Sequence, residues 1–265
     1  MHRALFVPPF GELADPRLLA DLAHVAEDTG WDGFFLWDHM WRPDGKPIEV
    51  SDAWVCMAAI ASSTSRLRIG PMVTPLARRR PQKVARESVA LDYLSNGRLT
   101  LGVGLGVDTG GELGRFGEQV DERRRGDMLD EALALLLELW SGDAISFRGA
   151  HFTADDVRFL PTPLQKPRIP IWVAARGGSS TRPIRRASRF DGLFPVGASA
   201  EQLEAMLRSI KEERGSLDGF DVAMIEEPES DVEVLANLGV TWLLRSIGEG
   251  KTAERARELI SKGPA

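Results

Sequence analysis

The residues best equipped for chemistry in this chain fall in three short clusters. Asp38 and His39 stand side by side, with Trp41 two positions on. A histidine can move a proton near neutral pH, and a neighbouring carboxylate can fix its tautomer or hold it charged. The plain alternative is a hydrogen-bonded pair closing a turn. Gly102-Val103-Gly104-Leu105-Gly106 would let a flat ligand approach the backbone, or would merely fit a crowded place between strands. Its spacing is not that of a dinucleotide loop, and no helix follows it directly. Arg176-Gly177-Gly178-Ser179-Ser180 offers a guanidinium, N–H groups and two hydroxyls, which suit either a phosphate or a helix cap. Arg78-Arg79-Arg80 adds cations that either reach a ligand or form a solvated face. Phe6, Phe10, Trp37 and Trp41 could wall an aromatic ligand or simply pack.

Positioning these clusters falls to alternating strands and helices. Apolar runs at residues 3–7, 34–37, 67–74, 99–103, 169–175, 192–196, 222–225 and 241–247 read as strands covered on both faces. Helical segments lie between them. Asp15 before Pro16 opens the first, Asp52 the second and Pro81 the third, which Asn96-Gly97 closes. A leucine-rich helix covers 128–140, a basic helix runs to about 190, and further helices cover 201–214, 231–238 and 252–260. The stretch 107–122 reads as a long loop, and 141–170 as a small excursion with hairpin character.

Eight strands alternating with eight helices give an α/β chain of the (β/α)8 TIM-barrel pattern, with short excursions after strand four and before strand five. Residues 1–265 are read as one such domain. An open doubly wound sheet competes, but Pro8-Pro9-Phe10-Gly11 supplies no phosphate fingerprint in the first turn. All three clusters then follow barrel strands, where catalytic rims lie.

Composition narrows the class. The net charge is −6, with 39 acidic against 33 basic residues, so a small-molecule partner is expected rather than nucleic acid. No apolar stretch reads as a signal peptide or a membrane span, and Cys56, the single cysteine, allows no intrachain disulfide. A cytoplasmic protein is expected. The four histidines lack metal-ligand spacing, and neither a nucleophile elbow nor a phosphate-binding Walker loop is present.

Several longer motifs carry a resemblance. They include Gly33-Phe34-Phe35-Leu36-Trp37-Asp38-His39-Met40, Ile69-Gly70-Pro71-Met72-Val73-Thr74-Pro75 and Leu91-Asp92-Tyr93-Leu94-Ser95-Asn96-Gly97-Arg98. Leu101-Gly102-Val103-Gly104-Leu105-Gly106, Arg115-Phe116-Gly117-Glu118 and Pro167-Arg168-Ile169-Pro170-Ile171-Trp172-Val173-Ala174 extend it. Together these resemble the bacterial luciferase-like family of flavin-dependent oxidoreductases. The resemblance implies FMN or the deazaflavin coenzyme F420 across the barrel mouth, with NAD(P)H as reductant in the FMN case. It places Asp38, His39 and Trp41 in catalytic positions. Cofactor contacts are expected from Phe6, Trp37, Met72, Val73, Thr74, Gly104, Leu105, Gly106, Ala174, Ala175, Arg176, Gly177, Gly178, Ser179 and Ser180, the last five near the phosphate. It further implies a cis peptide at Met72–Val73 and a homodimer built on helices such as 81–94.

Two departures stand out. Sugar-phosphate dehydrogenases of the deazaflavin branch carry an acid immediately after the strand-four glycines, whereas Leu105, Gly106 and Val107 stand here and Asp108 is the nearest carboxylate. There is also little room for the long mobile loop of the luciferases proper. Two other readings stay open: a flavin-binding barrel without turnover, and a flavin-free lyase or isomerase.

Overall fold

The computed structural model describes residues 1–42, 46–177 and 181–264. Nine parallel segments form the main sheet: β1 (His2–Val7), β2 (Gly33–Leu36), β3 (Arg68–Pro71), β4 (Thr74–Pro75), β5 (Leu101–Gly104), β8 (Ile171–Arg176), β9 (Gly192–Val196), β10 (Asp221–Ile225) and β11 (Trp242–Ser246). Their order is β3-β2-β1-β11-β10-β9-β8-β5-β4. Outside this ring, β6 (Ala144–Arg148) and β7 (Thr153–Arg158) form an antiparallel hairpin, the excursion expected before strand five. Eight helices connect these strands among the described residues: α1 (Pro16–Asp28), α2 (Ala53–Ser63), α3 (Pro81–Leu94), α4 (Glu122–Ser141), α5 (Thr181–Ser188), α6 (Ala200–Arg214), α7 (Val232–Asn237) and α8 (Ala253–Ser261). No helix is long and apolar enough to cross a membrane among the described residues.

The third strand departs from the continuous run 67–74. Its first half, β3, pairs with β2, and its second half, β4, pairs with β5. The change of partner falls at Met72–Val73, a cis peptide located where the resemblance placed one. A parallel bridge between Ile69 and Leu99 joins the two sides, so β3 and β4 together occupy one of eight places in a closed barrel. Glycine makes this approach possible. A Cβ on Gly102 would lie 2.3 Å from the Pro71 carbonyl oxygen, and one on Gly104 would lie 2.7 Å from Val73 Cγ2.

Strand alternation divides the apolar residues between two cores. Leu5 and Val7 face the helices, while Ala4 and Phe6 face the barrel interior with Phe35, Met72, Trp172, Phe194 and Trp242. The lower end of the interior is filled: Trp172 and Trp242 each donate an indole N–H to Asp221 at 3.2 Å, and Phe35 packs against both rings. Among the described residues, the C-terminal mouth is left open for a ligand.

Capping follows the expected residues. Asp15 accepts from the Arg17 amide and Asp52 from the Val55 amide. Near the end of α1, Glu27 accepts from the amides of Ser65, Arg66 and Leu67, tying that helix to the start of β3. Burial pushes this carboxyl up, but the three amides and the Ser65 hydroxyl outweigh it and lower its pKa to about 2. Glu27→Gln is therefore expected to cost about 1–3 kcal/mol at neutral pH, measured by thermal unfolding. A depressed carboxylate stabilises above its ordinary pKa, and that contribution is lost as pH falls toward its folded value. The difference between native and variant should shrink between pH 7 and about pH 3; an undiminished difference would refute the role given to the charge.

Candidate active site

The C-terminal ends of the strands enclose a cavity of about 630 Å³. Phe6 of β1 and Trp37 and His39 beyond β2 form one wall. Met72, Val73 and Gly104 to Val107 form the next, followed by Ala174, Ala175 and Arg176 of β8. Phe194 and Val196 of β9 and Ile225 of β10 complete the circuit. The aromatic residues touch one another: Phe6 lies 5.2 Å from Trp37 and 5.8 Å from Phe194 between ring centroids.

His39 is the imidazole of this wall. Its Nδ1 lies 2.6 Å from Glu112 Oε2, while Glu112 Oε1 accepts the Met40 amide at 2.7 Å. Burial raises the Glu112 carboxyl, but the hydrogen bond and charge of His39, the Met40 amide and Arg78 together hold it below its ordinary value. An ionised carboxylate at Nδ1 requires the ring proton there. This leaves Nε2 as the nitrogen free to take or give a proton, with 19% of the His39 side chain accessible. The neighbouring rings of Phe10 and Trp37, each 5.9 Å away, bracket the imidazole.

Asp38 faces the other way chemically. It borders the cavity but is 4% exposed, and its carboxylate accepts from Arg79 at 2.7 and 2.9 Å, Arg78 at 3.0 Å, the Thr74 hydroxyl at 2.8 Å and the Trp54 indole at 3.3 Å. Burial opposes the ionised form, yet the two guanidinium groups and the Thr74 hydroxyl keep its pKa below the usual value. Arg78 also donates to Glu112 at 2.6 Å, making one buried chain of alternating charge from Asp38 to His39. The partner of His39 is thus Glu112 and not the adjacent Asp38. Arg78 and Arg79 are turned inward and spent on these carboxylates, both away from the cavity, while Arg80 is exposed.

Of the remaining residues expected at the site, Leu105, Gly106, Ala174, Ala175 and Arg176 line the cavity. Three do not. Thr74 is fully buried against Asp38, Trp41 lies outside the lining with its indole N–H buried and unpartnered, and the Gly177 amide bonds to the Val196 carbonyl. Thr74 and Gly177 each sit beside a lining residue in the chain, and Trp41 lies two positions beyond His39. Gly178, Ser179 and Ser180 lie outside the described residues. Sequence reasoning missed Glu112, Arg186, Phe194, Val196 and Ile225. The last three sit on strands near their C-terminal ends, so the strand-end rule could have found them. Glu112 gave no such signal: Asp108, the carboxylate nearer the glycines, instead accepts the Leu113 and Gly114 amides and shapes the turn that delivers Glu112.

A group with a flat ring fits this mouth. The Met72–Val73 segment and Gly104 offer a low apolar wall, where a Cβ on Gly104 would project within 3.4 Å of Ala174. Arg176 supplies an exposed cation at the end of β8 for an anionic tail.

Comparison with known proteins agrees with this architecture. The fold is similar to a solved F420-dependent secondary alcohol dehydrogenase in complex with an F420-acetone adduct, with a TM-score of 0.82 at 18% identity over 99% of this chain and 98% of that one. It is also similar to the coenzyme F420-dependent tetrahydromethanopterin reductase of Methanopyrus kandleri, with a TM-score of 0.76 at 18% identity over 98% and 97%. In sequence it is 34% identical over 207 residues to an F420-dependent glucose-6-phosphate dehydrogenase of Gordonia bronchialis, covering 76% of this chain and 60% of that protein. A protein of the same name from Rhodococcus erythropolis is 33% identical over 237 residues, covering 86% and 65%. The chain thus spans less than two thirds of the length of these relatives. The family model for luciferase-like monooxygenases matches residues 4–226, and the chain belongs to that family.

Proposed function

We propose that the protein is a flavin-type oxidoreductase whose cofactor is F420, with FMN as the second candidate, acting on a small organic substrate. The observation that carries this reading is His39: Glu112 fixes its Nδ1 proton, so Nε2 is presented at a mouth of about 630 Å³. The preference for F420 rests on the names of the relatives at 32–34% identity.

The cofactor would supply two-electron redox chemistry. Met72, Val73 and Gly104 would support its ring and Arg176 its anionic tail, while Phe6, Phe194 and Trp37 exclude water. His39 Nε2 takes or gives the substrate proton, and Glu112 stabilises the ring when it is charged. Asp38 anchors the turn that carries His39. A barrel that binds the cofactor without turnover would have no use for a histidine held in one tautomer.

Titration with F420 and with FMN, followed by tryptophan fluorescence, tests the reading. Saturable quenching by F420 is expected because Trp37 lines the cavity. Binding of neither cofactor would overturn it. A cytoplasmic location and a homodimer belong to the same proposal; Val55, Tyr93 and Leu94 are exposed on α2 and α3, and a single-chain mass in solution would remove the dimer.

A further inference from the structure

Where α4 and α5 begin, the charges around the mouth nearly cancel. Arg186 of α5 lines the cavity, but its Nε donates to Asp130, which together with Asp127 also holds Arg182. Two cations and two carboxylates are closed on each other there. Glu122, the first residue of α4, borders the same cavity. It stands one turn before Gly126 and two before Asp130, the residues that receive Arg186, so this face of α4 is turned toward α5. Its carboxylate lies 3.7 Å from Arg125, a buried arginine whose Nη1 also donates to the carbonyls of Leu105 and Gly106 at 3.3 Å. With that pair closed as well, Arg176 at the exposed end of β8 is the uncompensated charge of this side among the described residues.

Resting on the reading of a flavin-type cofactor whose anionic tail meets Arg176, we infer that Glu122 is a specificity-determining residue. By closing the charge of Arg125 it fits the mouth to a tail whose phosphate carries one charge, a phosphodiester, and disfavours a phosphomonoester. A monoester carries about two charges at about pH 8. The first charge meets Arg176. The second would leave water with no further free cation to receive it, and would face the carboxylate of Glu122. F420 bears a phosphodiester, with its further carboxylates beyond it, and FMN bears a monoester, so this one residue separates the two candidate cofactors. Because 76% of the Glu122 side chain is exposed, water screens its field, and the discrimination is severalfold rather than absolute.

FMN and its monomethyl phosphate ester present the same rings with two charges and with one, and serve as probes beside F420. Binding is read from tryptophan fluorescence, since Trp37 lines the cavity. At about pH 8 and low salt the native protein should hold the ester about threefold or more tighter than FMN, and Glu122→Gln should cut that ratio about threefold by tightening FMN the more. Glu122→Asp keeps the charge and should keep the native order. The ratio should also shrink as salt rises from about 0.01 to about 1 M. A ratio that Glu122→Gln leaves unchanged, or that survives high salt, would overturn the inference and leave the oxidoreductase reading intact. If the native protein binds F420 alone, Glu122→Gln must admit FMN, and continued refusal would overturn the inference in the same way. Binding of none of the three by either form would remove both the inference and the reading beneath it.

Discussion

His39→Gln is expected to lower turnover of the cofactor-loaded protein by about 10²–10⁴-fold while leaving cofactor affinity within a factor of about three. Glutamine keeps a polar group at this place and can still reach Glu112, so the loop retains its anchor. What it loses is a nitrogen that exchanges a proton. The ring meets Glu112 at 2.6 Å on one side and the cavity on the other. Asp38 cannot substitute, because its oxygens already accept five hydrogen bonds. Stopped-flow turnover together with cofactor titration separates the outcomes. Equal losses in both would make His39 a structural residue.

Glu112→Gln refines the same point. With its carboxylate held below the ordinary range, Glu112 keeps the Nδ1 proton in place through neutral pH. A neutral amide would accept that proton less strongly and could favour the other tautomer through its own N–H. The pH dependence of turnover should therefore move in Glu112→Gln, whereas a merely structural loss would lower the whole profile without moving it.

The barrel was legible because its signals are local. Asp15-Pro16, Asp52 and Asn96-Gly97 mark helix ends by their own backbone and capping chemistry, and buried parallel strands show as apolar runs. Strand-end position alone then brings His39, Met72, Gly104 and Arg176 to one mouth. The electrostatics were not legible, because they depend on contacts between distant segments. Glu112 is 73 residues from His39, and Arg78 reaches Asp38 across 40. A run of three arginines resembles a solvated face until the short turn after β4 folds Arg78 and Arg79 under the mouth. The glycine stretch illustrates the same limit: at Gly102 the missing side chain serves strand contact with Pro71, while at Gly104 it serves contact with Val73 and the cavity together. Periodicity could not show where β3 ends, since Met72 and Val73 are as apolar as their neighbours and only the change of hydrogen-bond partner divides them.

Arg78→Met is expected to destabilise the fold by about 3 kcal/mol or more, at the lower end of the range for breaking a buried ion pair. The Arg78 side chain is 2% exposed and serves Glu112 with one nitrogen and both the carbonyl and carboxylate of Asp38 with another. Methionine fills similar space but leaves the anions without that cation. Asp38 retains Arg79, Thr74 and Trp54, so most of the loss falls on Glu112, which keeps only His39 and the Met40 amide. The pH dependence follows in sign. In the native chain both carboxyls are held low, so their contribution is present above the ordinary carboxylate range and lost as pH falls. In the variant, loss of the cation weakens the lowering of both carboxyls, and part of the penalty is relieved as pH falls and they take protons. The stability gap read from urea midpoints should be wide near pH 8 and narrower near about pH 5, and a gap of constant size would show that the two carboxylates do not depend on Arg78. Because Arg78 does not border the cavity, any accompanying fall in turnover passes through the carboxylates it holds, Asp38 in the turn that carries His39 and Glu112 at the His39 Nδ1. The same Glu112 dependence thus links the stability of the loop to the chemistry at the mouth.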